Sequence, residues 1–588
     1  MILSFMKKYK KESILAPLFK MLEAAFELFV PMVIAYVIDK GIGRSDKSVI
    51  MYGALLLLVL AIIGLTCSVR AQYHAAKAAM GLAADIRREL MVKIQSLSFA
   101  RLENIGTDTM ITRLTSDVNQ IQNAVNMTLR LFSRSPFIVF GAVIMAFTID
   151  KKCALIFAVM VVLLTIVVYG IMVITMPLYK KAQGGLDEIL SITRENLTGV
   201  RVIRAFSMEE DEKEKFFDKN RALNRMQKSV GKLSALTNPL TFVIVNCATL
   251  VLLYTGALRV FEGILTAGQV VALTNYMSQI LVELIKLANL IVLITRGMAC
   301  ADRIKAVLNM PSDEMETLDD YLSRPFGEKD APDEDLEDIY PEDDKPVVEF
   351  KYVGFSYEDG GEALSDISFS ARKGETVGVI GGTGSGKTTL VNLIPGFYFA
   401  KQGEVMLQGK DVRDYNLGAL RKKVGVAFQK SMLFSGTIEE NLLIANEDAT
   451  EEELISALKT AQAWDFVSQR KKGLKEVIHQ GGRDLSGGQK QRLNIARALV
   501  GKPDVIILDD SSSALDFATD AALRRSIREV VTDDYEPVVF IVSQRTSSVR
   551  NADRIIVLED GKMVGLGTHD ELLNTCSQYR EIHESQQG

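Results

Sequence analysis

The chain has 588 residues, of which 48% are hydrophobic and 24% charged, with a formal net charge of −5. That length exceeds one ordinary core, and the apolar residues crowd into the first half, so a single soluble domain is excluded and at least two domains are expected. The acidity is local: 313–344 carries 15 Asp/Glu against Arg324 and Lys329, a net −13, which leaves +8 elsewhere and nothing that points to nucleic acid.

From the start, Lys7, Lys8, Lys10 and Lys11 precede a long apolar stretch with no small-residue cleavage site, which reads as a retained cytoplasmic segment. Spanning a bilayer by helix takes ~20 mainly apolar residues. Six stretches qualify, at 14–38, 49–72, 132–149, 153–177, 238–258 and 268–295. The first, third and fifth connections are short. The second and fourth are long and rich in Lys/Arg, and the positive-inside rule makes them cytoplasmic. They contain helix formers, as in Ala75 to Ser96 and Lys180 to Glu195, so the membrane helices are expected to continue into them.

Ionisable residues at membrane depth are costly and therefore informative: Glu27, Arg70, Glu283 and Lys286. The last two stand at i, i+3 and are placed to pair. Cys67, Cys153, Cys247, Cys300 and Cys576 are scattered, without the spacing of a metal site or disulfide framework. Domains are expected at 1–309, with an acidic linker at 310–346 and a soluble α/β domain at 347–588 that opens on the strand pattern Val347 to Tyr357.

In that domain the run Gly381-Gly382-Thr383-Gly384-Ser385-Gly386-Lys387-Thr388 fits the G-x-x-x-x-G-K-[ST] phosphate loop, between an apolar strand, Thr376 to Ile380, and the helix-like Thr389 to Leu393. The glycines let backbone N–H groups curl around phosphates, Lys387 adds a point charge, and the Thr388 hydroxyl is placed to ligate Mg²⁺. Val505-Ile506-Ile507-Leu508-Asp509 reads as a buried strand ending in a carboxylate suited to hold the same ion. Between the two lies Leu485-Ser486-Gly487-Gly488-Gln489, followed by Lys490-Gln491-Arg492.

On these motifs the chain resembles the ABC transporter family over essentially its whole length: an all-α six-helix membrane domain with long cytoplasmic helical extensions, then an α/β P-loop nucleotide-binding domain. The resemblance implies ATP and Mg²⁺ as ligands. It implies that Tyr357 stacks on adenine, that Thr389 belongs to the nucleotide site, and that Gln429 senses Mg²⁺. It further implies that Ser513-Ala514-Leu515-Asp516 crosses a dimer interface, and that Ser486, Gly487, Gly488 and Gln489 serve the ATP of a partner chain. Coupling segments are expected around Gly106 to Thr115 and Ala205 to Glu212.

Two positions depart from the family pattern. Asp510 stands where Glu usually follows the Mg²⁺-holding Asp, and Gln544 stands where His is usual. One methylene less withdraws a carboxylate by roughly 1.5 Å, and a general base needs a contact of about 2.6–3.2 Å. The amide of Gln544 donates a hydrogen bond but cannot become cationic. The resulting expectation is a hydrolysis-impaired site on this chain and a heterodimer with a second, non-identical half-transporter. Its cargo would be a small amphiphile, suited to a mixed apolar lining supplied by residues such as Phe26, Phe29, Phe140, Met145, Tyr276 and Met277, although such residues serve more often in packing than in cargo contact. Lipid or peptide export and a nucleotide-gated channel or regulatory subunit stay open as alternatives.

Overall fold

The computed structural model describes residues 1–311, 345–357, 360–511, 515–530 and 535–587. The expected acidic linker therefore falls almost wholly outside the described residues, as do Ser513 and Ala514. The chain divides into two compact units. One holds Met1–Gln95 and Thr107–Pro311; the other holds Ser96–Gly106 with the described residues after the linker.

The first unit contains six helical segments long and apolar enough to cross a membrane: Ile2–Ile42, Lys47–Gln95, Thr107–Ile149, Lys151–Thr198, Glu209–Phe261 and Ala267–Leu308. Each contains one expected span. Lys47–Gln95 and Lys151–Thr198 are unbroken helices of 49 and 48 residues, each ~70 Å long at 1.5 Å per residue and so well beyond a ~30 Å hydrocarbon core. Their ends follow local chemistry. Asp150 caps Lys151–Thr198 by accepting from the N–H groups of Lys152 and Cys153, both at 2.9 Å. Thr266 and Gln269 form a capping box at the start of Ala267–Leu308.

Inside the bundle, Phe157, Met160, Tyr276, Met277 and Ile280 form a buried core. The Tyr276 hydroxyl donates to the Leu28 carbonyl at 2.5 Å. Tyr276 and Met277 are thus packing residues: both side chains are fully buried, where neighbours replace water. Phe29 and Phe140 are exposed, and Phe26 and Met145 half-buried.

Among its described residues the second unit carries twelve strands, numbered in chain order: β1 Val348–Ser356, β2 Glu362–Ala371, β3 Thr376–Gly381, β4 Gln402–Leu407, β5 Lys410–Asp411, β6 Val424–Ala427, β7 Gly436–Thr437, β8 Val477–Ile478, β9 Val505–Asp509, β10 Val538–Ser543, β11 Arg554–Glu559 and β12 Lys562–Gly567. One sheet has the order β2-β1-β4-β5 and is antiparallel. The other has the order β12-β11-β3-β10-β9-β6, parallel except for the β12 edge. β3, β9 and most of β10 are buried, which is why they read as continuous apolar runs and not as alternation.

This unit also takes in the helix Phe99–Ile105 from the first long connection. Its Phe99 ring packs on Phe397 at 4.9 Å, and Glu103 accepts a hydrogen bond from Tyr398 at 3.1 Å. The piece that packs here is Ser96–Gly106, which lies ahead of the expected Gly106 to Thr115 and shares only Gly106 with it. An aromatic anchor decides the position, and the glycine at φ +76° merely ends the helix. In the other connection the helix Val200–Ala205 ends at a turn of exposed Phe206, Ser207 and Met208, within the expected Ala205 to Glu212.

Candidate nucleotide site

Four neighbouring parallel strands, in the order β3-β10-β9-β6, deliver the site from their carboxyl ends. Open α/β sheets bind ligands at that edge because loops and helix N-termini converge there. β3 runs into the glycine loop and the helix Lys387–Asn392; β10 precedes Gln544; β9 ends in Asp509 and Asp510; β6 leads to Gln429.

The loop is held in shape by its glycines. Gly386 has φ +94°, a left-handed conformation that costs an L side chain, and it serves as N-cap of Lys387–Asn392. A Cβ on Gly381 would lie 2.2 Å from the Leu558 carbonyl oxygen. Gly382, Thr383 and Gly384 present an exposed rim, while Ser385 is buried. The Lys387 ammonium sits within the loop, donating to the carbonyls of Gly381 at 2.9 Å and Gly382 at 2.6 Å. Burial lowers its pKa, a shift that Asp510 and Asp509 oppose.

Thr388 Oγ1 donates to Asp509 Oδ1 at 3.0 Å. Burial raises the pKa of Asp509, opposed by the Thr388 hydrogen bond and reinforced by the charge of Asp510. A buried carboxylate strained in this way, next to a hydroxyl oxygen, fits a hard divalent cation, which would relieve the like-charge cost. No group of three or more metal-ligating His, Cys, Asp or Glu side chains occurs among the described residues. That agrees with Mg²⁺, which keeps few protein ligands alongside water and phosphate oxygens.

Asp510 follows in a left-handed conformation, φ +43°, with its N–H donating to the Val542 carbonyl at 3.0 Å. Its Oδ2 accepts from Gln429 Nε2 at 3.3 Å. Gln544 is exposed just beyond β10. Tyr357 is 38% exposed, with its hydroxyl 2.9 Å from Thr389 Oγ1 and its ring edge-on to Phe355 and Tyr398.

Ser486, Gly487, Gly488 and Gln489 open a separate helix, Gly487–Val500. Ser486 Oγ accepts from Gln489 N–H at 3.3 Å, and Gln489 Oε1 accepts from Ser486 N–H at 3.0 Å. This capping box holds the exposed N-terminus open toward solvent. The helix is tied to the Gln429 loop, since Asn494, fully buried, donates to the Phe428 carbonyl at 3.0 Å. Asp516 is an exposed cap: it accepts from Thr519 N–H and Oγ1, both at 2.8 Å.

The residues read from the sequence on the glycine loop and at the ends of β9 and β6 therefore come together, while the Ser486 helix start and Asp516 stand apart as exposed caps. Sequence reasoning missed Gln586. Its Oε1 accepts from Thr546 N–H at 2.8 Å, and its Nε2 donates to the Gln544 carbonyl at 2.7 Å. No motif marks it, because its role arises from a helix, Ser577–Gln587, that packs back on the loop after β10.

A six-helix membrane unit and a P-loop α/β unit whose chain also carries the Ser486 helix start define an ATP-dependent membrane transporter. Residues 13–284 match the ABC transporter transmembrane region, and residues 364–513 match the ABC transporter family. The uncharacterized ABC transporter ATP-binding protein YfiB of Bacillus subtilis is 34% identical, over 100% of this chain and 98% of its own length. The putative multidrug export ATP-binding/permease protein YgaD of the same organism is 31% identical, over 99% and 98%. A bacterial Atm1-family ABC exporter, solved with ATP bound, shares the fold at a TM-score of 0.77 and 21% identity, covering 99% of this chain and 98% of that one. The chain belongs to the ABC transporter family, as a multi-pass exporter chain with one cytoplasmic nucleotide-binding domain.

Proposed function

We propose that this chain is the hydrolysis-impaired half of a heterodimeric ATP-driven exporter of small amphiphiles. The observation that carries the reading is the pair Asp510 and Gln544: a short carboxylate and an amide stand at the ends of the two strands where a general base and a chargeable donor are needed. The name of the YgaD relative, with its multidrug export, supports the cargo class. The domains assigned are 1–309 for transport, 310–346 for the linker and 347–588 for nucleotide binding.

In this reading Tyr357 and Thr389 border the base, and residues 381–388 wrap the phosphates. Thr388, Asp509 and Gln429 hold Mg²⁺, which supplies charge neutralisation at the phosphate oxygens. Lys387 shifts from loop carbonyls to a phosphate as a ready donor. Asp510 orients water weakly, because Gln429 occupies one of its oxygens and the side chain is short. Ser486, Gly487, Gly488, Gln489 and Asp516 face the partner's nucleotide.

The test is nucleotide trapping with each subunit labelled, in membranes holding both halves. Replacing the partner's catalytic carboxylate by its amide abolishes turnover, and Asp510→Asn reduces it only modestly. Ser486→Ala lowers trapping at the partner's site more than at this chain's own. Equal losses would contradict the asymmetry, and rapid ATP cleavage by the purified chain alone would overturn the pairing. Uptake of a hydrophobic dye into inverted vesicles, dependent on ATP, separates an exporter from a channel or regulatory subunit.

A further inference from the structure

Three membrane helices of the first unit bring together four charges, of which Glu27, Glu283 and Lys286 line one cavity and Arg134 lies behind it. Glu27 belongs to Lys10–Tyr36, Arg134 and Ser135 to Arg134–Ile149, and Glu283 and Lys286 to Ala267–Leu308. In the inner part of this network both Glu283 oxygens are bonded, while the buried Arg134 Nε has no partner. Glu283 Oε1 accepts from Arg134 Nη1 at 2.5 Å and from Lys286 at 2.9 Å, and its Oε2 accepts from Ser135 at 2.7 Å. Arg134 Nη2 donates to Glu27 Oε2 at 2.6 Å. Side chains of Arg134 and Glu283 are 8% and 4% exposed, so this pair is a structural bridge.

The outer two groups differ. Glu27 and Lys286 keep 41% and 40% of their side chains exposed. Both line a cavity of about 360 Å³, with Gln279 among its polar residues and Pro31, Ile138 and Val282 among its apolar ones. That size lies within the range of roughly 300–1,000 Å³ typical of small-molecule sites. Among the described residues, Glu27 Oε1 has no hydrogen-bond donor and the Lys286 ammonium has only Glu283. Gln279 Oε1 is buried without a partner. The wall thus offers one anionic acceptor and one cationic donor in an apolar setting, where unpaired polar groups are costly.

We propose that this cavity binds a zwitterionic head group, an ammonium together with a phosphate or carboxylate, with an attached apolar tail. The ammonium meets Glu27, the anionic group meets Lys286, and the apolar remainder lies along Pro31, Ile138 and Val282. A cation alone leaves Lys286 in the same cavity without an anion, and an anion alone leaves Glu27 without a cation, so each single-charge ligand forgoes a contact that the zwitterion makes. The proposal rests on the exporter reading and narrows its cargo class. The same head-group chemistry occurs in membrane lipids and in soluble zwitterions.

The test is equilibrium binding to the full-length chain in nanodiscs, using dodecylamine, dodecyl phosphate, lauroyl-lysophosphatidylethanolamine and tail-less glycerophosphoethanolamine. On the unmodified chain, the lysophospholipid is expected to bind ~10-fold or more tightly than dodecylamine or dodecyl phosphate, the size of one charge-assisted hydrogen bond. Glu27→Gln should erase its advantage over dodecyl phosphate, and Lys286→Met its advantage over dodecylamine. Equal binding of the three tailed probes to the unmodified chain would overturn the proposal whatever the variants do. So would selectivity that both folded variants retain. Glycerophosphoethanolamine binding as tightly as the lysophospholipid would refute the tail. Its binding more weakly but measurably assigns a soluble zwitterion, and its failure to bind assigns a lipid; both support the head-group site. Head-group selectivity on the chain, with no ATP-dependent movement of any probe into inverted vesicles holding both halves, would sink the exporter reading and leave the site standing.

Discussion

Gln429 donates through Nε2 to Asp510 Oδ2 at 3.3 Å, joining two residues 81 positions apart across the ends of β6 and β9. The bond ties the amide proposed to sense Mg²⁺ to the carboxylate proposed to orient water. It also draws the short Asp510 side chain toward the Gln429 loop.

Asp510→Glu combined with Gln544→His should raise the ATPase rate of the chain in nanodiscs by ~10²-fold or more, since a positioned base contributes 10²–10⁴-fold. Single-turnover hydrolysis measures it. No change would mean that carboxylate reach does not limit this site.

Lys387→Met should weaken ATP binding at this chain's own site by ~10–100-fold, the value of a charged hydrogen bond. Fluorescent-nucleotide titration reads the loss. Because Lys387 is buried and bonded to Gly381 and Gly382, circular dichroism of the same variant should show the α/β unit still folded.

Gln586→Ala removes three hydrogen bonds to the loop after β10, those from the Thr546 N–H and Oγ1 and that to the Gln544 carbonyl. Hydrogen exchange at the Thr546 amide should then accelerate, while exchange within β10 stays slow. With each bond worth about 0.5–1.5 kcal/mol, the expected acceleration is ~10-fold. An unchanged Thr546 amide would mean that the loop is held by other contacts.

Arg134→Met should lower the thermal midpoint of the membrane unit, because buried Glu283 keeps only Lys286 and Ser135 as donors and Glu27 loses its cation, a loss below the roughly 3–5 kcal/mol of a buried charge left wholly unpaired. Arg134→Lys restores the charge but not the two-pronged reach to Glu27 and Glu283, so it should recover only part of the midpoint.

The pH response of the α/β unit should carry a mark from Glu375. Burial opposes its ionisation most strongly, but the two-pronged Arg554 guanidinium and the Arg372 N–H outweigh it and hold the pKa below the usual carboxylate range. The stabilisation is therefore full above the ordinary Glu pKa and fades as pH falls through the lower, folded value. Denaturant unfolding between neutral and acid pH should show a shallower acid loss in Glu375→Gln.

Much of the architecture was legible in residue order. Six apolar runs and two long polar connections follow from local composition, and all six runs lie in helices. Asp509 was readable because a buried parallel strand must be apolar until its last residue. Arg134 was not readable, since it begins an apolar stretch and looks like a flank. Only the packing of three helices turns it into the bridge between Glu27 and Glu283. The packing of Phe99 on Phe397 was not readable for the same kind of reason: no periodic signal distinguishes such an anchor from an ordinary helix residue.

By itself, the sequence determined that the chain crosses a membrane and carries a phosphate loop, because apolar length and glycine spacing act within a few turns of backbone. It also carries the two departures from the family pattern, Asp510 and Gln544, on which the proposed asymmetry rests. Tertiary structure alone decided which distant groups meet: Gln429 with Asp510, Gln586 with the Gln544 loop, and Arg134 with two carboxylates. Such meetings depend on strand order and helix packing, where the contributing residues lie tens to hundreds of positions apart and no local pattern records their approach.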